Sequence, residues 1–217
     1  LSSSTSYDFY VSVLCTVGPS AGSVSALDIF TQCGIVTAPF SENFDGWSGN
    51  IPPCWNGMKT SATGLGWTWD GFGTSSSATG PSSGNSGDYY LYLETTGSTP
   101  SGPYFVELPE MDLTATPTAQ LKYAYHMFGA TIGALKVQVS TDQINWTTIS
   151  TKTGQQQTSS SDPYLIETLS LANYISATTY IRFRGELGTS FTGDIAIDDI
   201  YVGDCPGPDN VTIVNLT

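Results

Sequence analysis

The chain is short of positive charge and of long apolar runs, and each shortage excludes a class of function. Its 217 residues include six lysines and arginines against nineteen aspartates and glutamates, a formal net charge of −13. Such a surface repels phosphate backbones, so nucleic acid is not expected as a partner. No apolar run approaches the roughly 18 residues of a membrane-spanning helix, so membrane insertion is not expected either.

The sequence is also poor in the residues that build zinc sites and hydrolase active sites. Its cysteines, Cys15, Cys33, Cys54 and Cys205, include no C-x-x-C pair, and His126 is the only histidine. A Cys/His zinc site is therefore not expected. There is no G-x-S-x-G elbow, and nothing in the sequence shows two carboxylates facing each other across a groove. A lone histidine within a strand is more often a hydrogen-bonded structural residue than a base, so we predict that the chain is not an enzyme.

What the chain does contain suits short strands joined by turns. Its 23 glycines and 12 prolines, with many serines and threonines, separate short aromatic and β-branched runs. A hydrophobic content of 39% is enough to fill a core, so wholesale disorder is not expected. An even number of cysteines in a chain rich in serine and threonine and poor in lysine fits an oxidising compartment.

Alternation of apolar and polar residues predicts antiparallel strands in the central part of the chain. In residues 134–140, three aliphatic side chains face one way while Lys136 and Gln138 face the other. One buried and one solvated face is typical of antiparallel sheets, and no segment shows the 3.6-residue period of a helix. The pattern predicts an all-β fold, an antiparallel β-sandwich or jelly roll. Further strands are predicted at 89–94, 104–108, 120–128, 165–171, 179–184 and 194–202.

The first thirty residues form a separate pair of predicted strands. Residues 7–15 (YDFYVSVLC) alternate at period two, a Gly/Pro turn follows, and residues 24–31 (VSALDIFT) are again strand-like. The pair resembles the last two strands of a fibronectin type III domain, in which a Tyr-x-Phe/Tyr-x-Val strand precedes one that ends in Phe-Thr. A hairpin alone is too small to be stable. Either it docks on the following domain or, as we favour, it belongs to a domain completed by missing residues or another copy.

A series of motifs between residues 40 and 204 resembles a MAM domain. Their order and spacing, rather than any single motif, support the resemblance, which covers about three quarters of the chain. It implies a jelly-roll β-sandwich that acts as a secreted, non-catalytic adhesion or accessory module. The motifs are Phe44-Asp45 with Cys54-Trp55, Trp67-Thr68-Trp69-Asp70, Thr79-Gly80-Pro81, GDYYLYLE at 87–94, YHMFG at 125–129 with GAL at 133–135, and GDIAIDDI at 193–200.

These resemblances divide the chain into three parts. Residues 1–33 are assigned to the end of a fibronectin type III-like domain, residues 34–205 to the MAM-like domain, and residues 206–217 (PGPDNVTIVNLT) to the first strand of a following fibronectin-like domain. Such arrays resemble those of large secreted bacterial surface proteins and of secreted hydrolases. We therefore expect an extracellular or cell-surface location, with neighbouring modules of the same chain or other copies as partners.

The MAM resemblance also implies one disulfide. Cys33 and Cys54 match the first disulfide of animal MAM domains, and a bond between them would close the loop 34–53. Cys15 and Cys205 are then expected to pair inside their own truncated fibronectin-like domains.

A structural cation, most simply Ca²⁺, is a further implication of the resemblance, because MAM-like and jelly-roll domains often hold one where the first and last strands meet. The expected ligands are Glu42, Asp45 and Asp198, with Asp88 and Asp70 as weaker candidates. Ca²⁺ prefers oxygen ligands, some from backbone carbonyls. The alternative is that these carboxylates are solvated or cap turns through backbone N–H groups. The aspartate after Asp198 cannot point the same way on a strand, so one of the two should face solvent or mark a bulge.

The tryptophans offer a route to ligand binding. If exposed, they could stack on sugar rings, whereas Trp55, Trp67 and Trp69 are more simply core residues of a MAM-like fold. Trp146 is expected to be the most exposed.

Two functions stay open. The first is an adhesion or structural module of a large multidomain secreted or cell-surface protein. The second is a carbohydrate-binding or substrate-targeting accessory of a secreted hydrolase, and its partners would be polysaccharides or cell-surface glycans.

Overall fold

The structure, a computed structural model, describes residues 6–9, 27–30, 33–47, 54–58, 65–96 and 102–204. The chain divides into two compact units, Leu1–Gly34 and Ile35–Thr217. The predicted all-β, antiparallel fold is confirmed. Within the described ranges, no helix is long and apolar enough to cross a membrane.

The first unit contains an antiparallel pair of strands, β1 (Ser6–Phe9) and β2 (Leu27–Phe30). Tyr7 lies opposite Ile29 in this pair. The other residues of the two predicted strands, including Cys15, lie outside the described residues, as do 205–217. The fibronectin-like assignments therefore stay predictions.

Twelve strands make up the described part of the second unit. All but the short pair β3–β8, which is parallel, pair antiparallel. One 3₁₀ turn, Ala172–Tyr174, separates β12 from β13. The strands are β3 (Val36–Thr37), β4 (Phe40–Glu42), β5 (Gly66–Gly71), β6 (Tyr89–Glu94), β7 (Tyr104–Glu107), β8 (Met111–Asp112), β9 (Ala119–His126), β10 (Ala134–Ser140), β11 (Thr147–Thr153), β12 (Leu165–Ser170), β13 (Tyr180–Glu186) and β14 (Ile195–Asp204).

Two sheets face each other. The larger has the order β12-β9-β14-β6-β5, with β4 added beside the second half of β14, and the smaller has the order β11-β10-β13-β7. Aliphatic and aromatic residues from the facing sides fill the space between them, and Tyr123 meets Phe183 edge to face at 5.0 Å between ring centroids. At one edge, the indole N–H of Trp67 on β5 donates to the carbonyl of Tyr104 on β7 at 3.1 Å.

A cluster of three aromatic residues closes the core beside β4. Phe44, Trp47 and Trp55 pack edge to face with ring centroids 4.9 to 5.7 Å apart, and all three are buried. A disulfide joins Cys33, which precedes Phe44 in the chain, to Cys54, which directly precedes Trp55. This bond is the one that the sequence predicts.

The central strands predicted from alternation are all present, each within two residues of its predicted ends. Prediction failed where polar residues dominate. β11 (TTISTKT) was missed because it is an edge strand with threonine on both faces. β5 was missed because it lies within a stretch rich in Gly, Ser and Thr, yet its Trp67 enters the core.

The disulfide gives the first testable prediction. The double variant Cys33→Ser/Cys54→Ser should lose about 3 kcal/mol of unfolding free energy, because the bond closes a loop of about 20 residues in the denatured chain. Urea denaturation followed by tryptophan fluorescence measures this loss. The matched control is Cys15→Ser/Cys205→Ser, which should leave the midpoint unchanged. Equal midpoints for the wild type and the first variant would contradict the prediction.

Candidate functional site

The outer face of the six-stranded sheet holds a second buried layer. Along β6, Leu91 and Leu93 face the core between the sheets, while Tyr90 and Tyr92 point to the opposite side and are nevertheless buried. Tyr164, from the loop before β12, completes this layer with Ala124 and Ala196. Because these aromatic side chains lie on the outer side of the sheet, they must be covered by loops.

Two loops provide the cover, residues 72–88 between β5 and β6 and residues 154–164 between β11 and β12. Ser82 N–H in the first loop donates to the Ser160 carbonyl in the second at 2.8 Å. The hydroxyl of Tyr164 donates back to the carbonyl of Ser83 at 3.2 Å. Loop 72–88, which the sequence left without an assigned structure, is therefore fixed by hydrogen bonds on top of the sheet.

Asp198 anchors the loop from below. Its Oδ2 accepts the backbone N–H groups of Asn85 at 2.7 Å and Ser86 at 3.3 Å, and its Oδ1 accepts the N–H of Asp199 at 2.7 Å. The side chain is fully buried, and this burial raises the pKa of Asp198 to about 7. The carboxylate thus holds the tip of loop 72–88 on β14.

Asp45 anchors the end of the same loop. Its Oδ1 accepts the N–H groups of Asp88 at 2.9 Å and Tyr89 at 3.0 Å. Gly87 has a φ of +62°, and a Cβ there would lie 1.7 Å from Asp45 Oδ2. Glycine is needed at this position because both its backbone conformation and the close approach of the carboxylate exclude a side chain.

A β-bulge lies next to Asp198. The pairing of β14 with β9 shifts register between Asp198, opposite Ala124, and Tyr201, opposite Lys122. Asp199, inside the bulge, has a φ of +46°. The expectation that one of the two adjacent aspartates marks a bulge is thus met.

Asp199 adds side-chain contacts to the same loop. Its Oδ2 accepts the side-chain amide of Asn85 at 2.6 Å, and its Oδ1 accepts the hydroxyl of Ser86 at 2.5 Å. The bulge therefore directs a second carboxylate at residues that already bind Asp198 through their backbone.

The structure brings the predicted cation ligands to one region, but with other partners. Glu42 pairs with Ile200 on β14, and its Oε1 accepts the N–H of Phe44 at 2.7 Å. Asp88 is exposed, and Asp70 caps the N–H of Gly71 at 2.8 Å. Among the described residues, no three Asp, Glu, His or Cys side chains lie close enough together to hold an ion. The observed contacts are those of the turn-capping alternative, and a Ca²⁺ site stays a prediction.

A pair of buried acidic residues lies at the other end of the covered face. Glu94 and Asp194 are both buried, and Asp194 Oδ1 accepts the N–H and the hydroxyl of Thr95 at 3.1 and 3.0 Å. Burial, and next the charge of Glu94, raise the pKa of Asp194 to about 6. Sequence reasoning missed Glu94, although the alternation of YYLYLE places it on the same face as the two tyrosines.

His126 belongs to this covered layer as well. It is fully buried at the end of β9, with its ring 5.3 Å from that of Tyr164. Burial lowers its pKa to about 4. The predicted structural role is consistent with this place. Among the described residues, neither ring nitrogen has a partner at full hydrogen-bond geometry, but the backbone of Ser159 and Asp162 interacts with the imidazole and opposes the lowering of its pKa.

The tryptophans lie mostly in the interior. Trp47, Trp55 and Trp67 are buried, so they are not available to stack on a ligand, and Trp69 is half-buried against Tyr89. Trp146 is half-buried and covers the guanidinium of Arg182 at 3.8 Å.

The buried pair Glu94 and Asp194 predicts that the free energy of unfolding depends on pH. Folded Asp194 keeps its proton to about pH 6, whereas the unfolded carboxyl loses it near 3.8, so its contribution to stability falls as pH rises between these values. The isosteric variant Asp194→Asn does not ionise. Relative to wild type it should therefore gain on the order of 3 kcal/mol between pH 4 and pH 7.

Urea denaturation of both proteins at several pH values in this window measures the difference. His126, whose lowered pKa acts in the opposite direction, is present in both proteins and cancels in the comparison. Stability curves that run parallel across the window would contradict a raised pKa of Asp194.

Comparison with solved structures agrees with the fold. The K1 cleaved adhesin domain of Lys-gingipain from Porphyromonas gingivalis W83 is similar over 77% of this chain and 99% of its own, with a TM-score of 0.52 and 18% identity. The K3 cleaved adhesin domain of the same protein has a TM-score of 0.49 and 14% sequence identity, over 77% of this chain and 98% of its own. A Stig cyclase from Fischerella sp. TAU has a TM-score of 0.49 and 15% sequence identity, over 73% of this chain and 88% of its own. At 18% identity the similarity to the K1 adhesin domain concerns the fold alone.

The sequence itself places the chain in a family. The pattern of the MAM domain family (meprin/A5/mu) matches residues 48–206, which include β5 to β14 and both covering loops. The resemblance drawn from the motifs is thereby confirmed. The chain belongs to the MAM domain family.

Proposed function

We propose that this chain is a non-catalytic adhesion or structural module of a large multidomain protein that is secreted or displayed at the cell surface. The burial of His126, the only histidine, supports the proposal most directly. A fully buried imidazole cannot reach a substrate, and its lowered pKa makes it a weak base. Asp45 and Asp198 hold a loop through backbone amides, which is a structural task. Membership of the MAM family and the adhesin-domain fold support the same role.

A second candidate function is a carbohydrate-binding or substrate-targeting accessory of a secreted hydrolase. One observation favours it: beyond the covering loops, the outer face of the six-stranded sheet exposes polar side chains around the partly exposed Tyr201. Both functions imply contact with material outside the cell, and they differ in whether protein or glycan is bound.

Binding of the fluorescently labelled 217-residue chain to intact cells separates the two functions. Adhesion to surface proteins predicts binding that protease treatment of the cells removes. A carbohydrate-binding accessory predicts binding that survives this treatment and that soluble polysaccharide displaces. Heat-denatured chain is the control for non-specific adsorption. Absence of saturable binding above that control would contradict both.

We also propose one structural Ca²⁺ ion held through Glu42, Asp45 and Asp198, which would draw these carboxylates closer together than they lie in the structure. The pairing of β4 with β14 supports the proposal. Backbone carbonyls or water would supply the remaining ligands.

An ion that binds only the folded chain stabilises it by roughly 2.7 kcal/mol at a hundredfold excess over Kd. EDTA should therefore lower the melting temperature of the wild type, while Asp198→Asn should melt identically with and without EDTA. The matched control is Asp142→Asn, at an exposed hairpin, which should keep the wild-type response. An unchanged wild-type melting curve in EDTA would contradict the proposal.

A further inference from the structure

The outer face of the six-stranded sheet is covered at one end, beneath the two loops. At the other end a row of side chains crosses four strands, from β4 through β14 and β9 to β12, each residue directly opposite the next. Three of the four are exposed or partly exposed polar residues, and the tyrosine is partly exposed. The row consists of Ser41, Tyr201, Lys122 and Thr168. This uncovered part of the face is polar, with one aromatic ring at its centre.

Tyr201 lies flat on the sheet. Its hydroxyl donates to the carbonyl of Asp204 at 3.0 Å, which draws the ring along its own strand. A Cβ on Gly203 would lie 2.8 Å from the Tyr201 hydroxyl oxygen and 3.1 Å from the ring carbon that bears it. The glycine therefore makes room for the hydroxyl end of the ring to rest against the backbone, and the exposed part of the ring is the surface on which a ligand would stack.

Depressions of about 390 and 360 Å³ lie on the two sides of this ring. Each lies within the size range of small-molecule sites. Together with Tyr201 they form a shallow groove that runs across the strands, and we call it the Tyr201 groove. Tyr201 and Asp199 border both depressions, with Ser41, Glu42 and Asn43 on one side and Asn85, Lys122 and Ile166 on the other.

Two polar groups that border the Tyr201 groove, the Asp199 carboxylate and the Asn85 amide, are held in place. Asp199 is fixed by the bulge and by its hydrogen bonds from Asn85 and Ser86. Fixed carboxylate and amide groups next to a flat aromatic ring suit a ligand that has many hydroxyl groups and an apolar ring face. A pyranose ring has both.

Charge narrows the class of ligand. The carboxylates of Glu42 and Asp199 and the ammonium group of Lys122 border the Tyr201 groove, on a chain with a net charge of −13. An anionic polymer would be repelled by this surface. We propose that the Tyr201 groove binds a neutral polysaccharide, with one sugar ring stacked on Tyr201 and its neighbours in the two depressions. This deepens the carbohydrate-binding form of the proposed function and rests on it.

Affinity electrophoresis of the full chain tests the proposal, in gels that contain hydroxyethylcellulose, galactomannan or soluble starch. At least one of these should retard the wild type. Tyr201→Ala should bind that polymer roughly ten-fold more weakly, because it loses the stacking surface. The matched control is Tyr180→Ala, which removes a partly exposed tyrosine from the outer face of the other sheet and should bind as the wild type does.

A second variant guards against a folding defect. Lys122→Ala/Ile166→Ala removes two exposed side chains from one depression, so it should melt as the wild type does and still bind more weakly. Melting curves by circular dichroism confirm that each variant is folded. Polygalacturonate in the same gel format should retard the wild type less than the best neutral polymer.

The outcomes separate this proposal from the broader function. Retardation of the wild type that both groove variants retain would show that the chain binds polysaccharide elsewhere, leaving the accessory function but not the Tyr201 groove. Preference for polygalacturonate would overturn the neutral ligand. Retardation by none of the three neutral polymers would overturn the proposal altogether, whereas adhesion to cell-surface protein would still be decided by the protease experiment.

Discussion

The first part of strand β14, from Ile195 to Asp198, is buried on both faces, and the rest of the MAM domain depends on this constraint. One face supplies Ile195 and Ile197 to the core between the sheets. On the other side lie Asp198 and, just before the strand, Asp194, two carboxylates that are out of water. A buried carboxylate is tolerated only when donors surround it, so the structure above β14 has to provide them.

The covering loop meets this need at Asp198, where the backbone N–H groups of Asn85 and Ser86 donate to the carboxylate. At Asp194 the donors are the N–H and hydroxyl groups of Thr95, which follows β6. The exposed Asp45 accepts the N–H groups of Asp88 and Tyr89 and holds the end of the same loop. A segment rich in glycine and serine allows such close approach, since small residues leave the N–H groups accessible. A composition that is typical of a flexible linker here forms an ordered cover, because its anchors come from the sheet beneath it and from the segment that follows β4.

The two ends of the same sheet face then have different tasks. Beneath the loops, aromatic and acidic side chains form a buried layer, and His126 lies buried beside Tyr164 in it. Beyond the bulge at Asp199, the face is open and Tyr201 lies against Gly203 with polar groups on either side. The bulge marks the boundary, because it turns one aspartate towards the loop and returns the next tyrosine to the exposed row.

The sequence by itself determined the class of fold, the family, the disulfide and the positions of the strands with clear alternation. These strands are recognisable because a half-buried strand alternates apolar and polar residues along the chain. It did not reveal β5 or β11, where glycine and threonine obscure the pattern. Only the tertiary structure decided which tryptophans are buried, that Glu94 faces the second layer with Asp194, and that the ring of Tyr201 lies flat. These depend on what covers each face of a strand. Such cover comes from residues about a hundred positions away, as with Asn85 and Asp198, and no local pattern records contacts of that range.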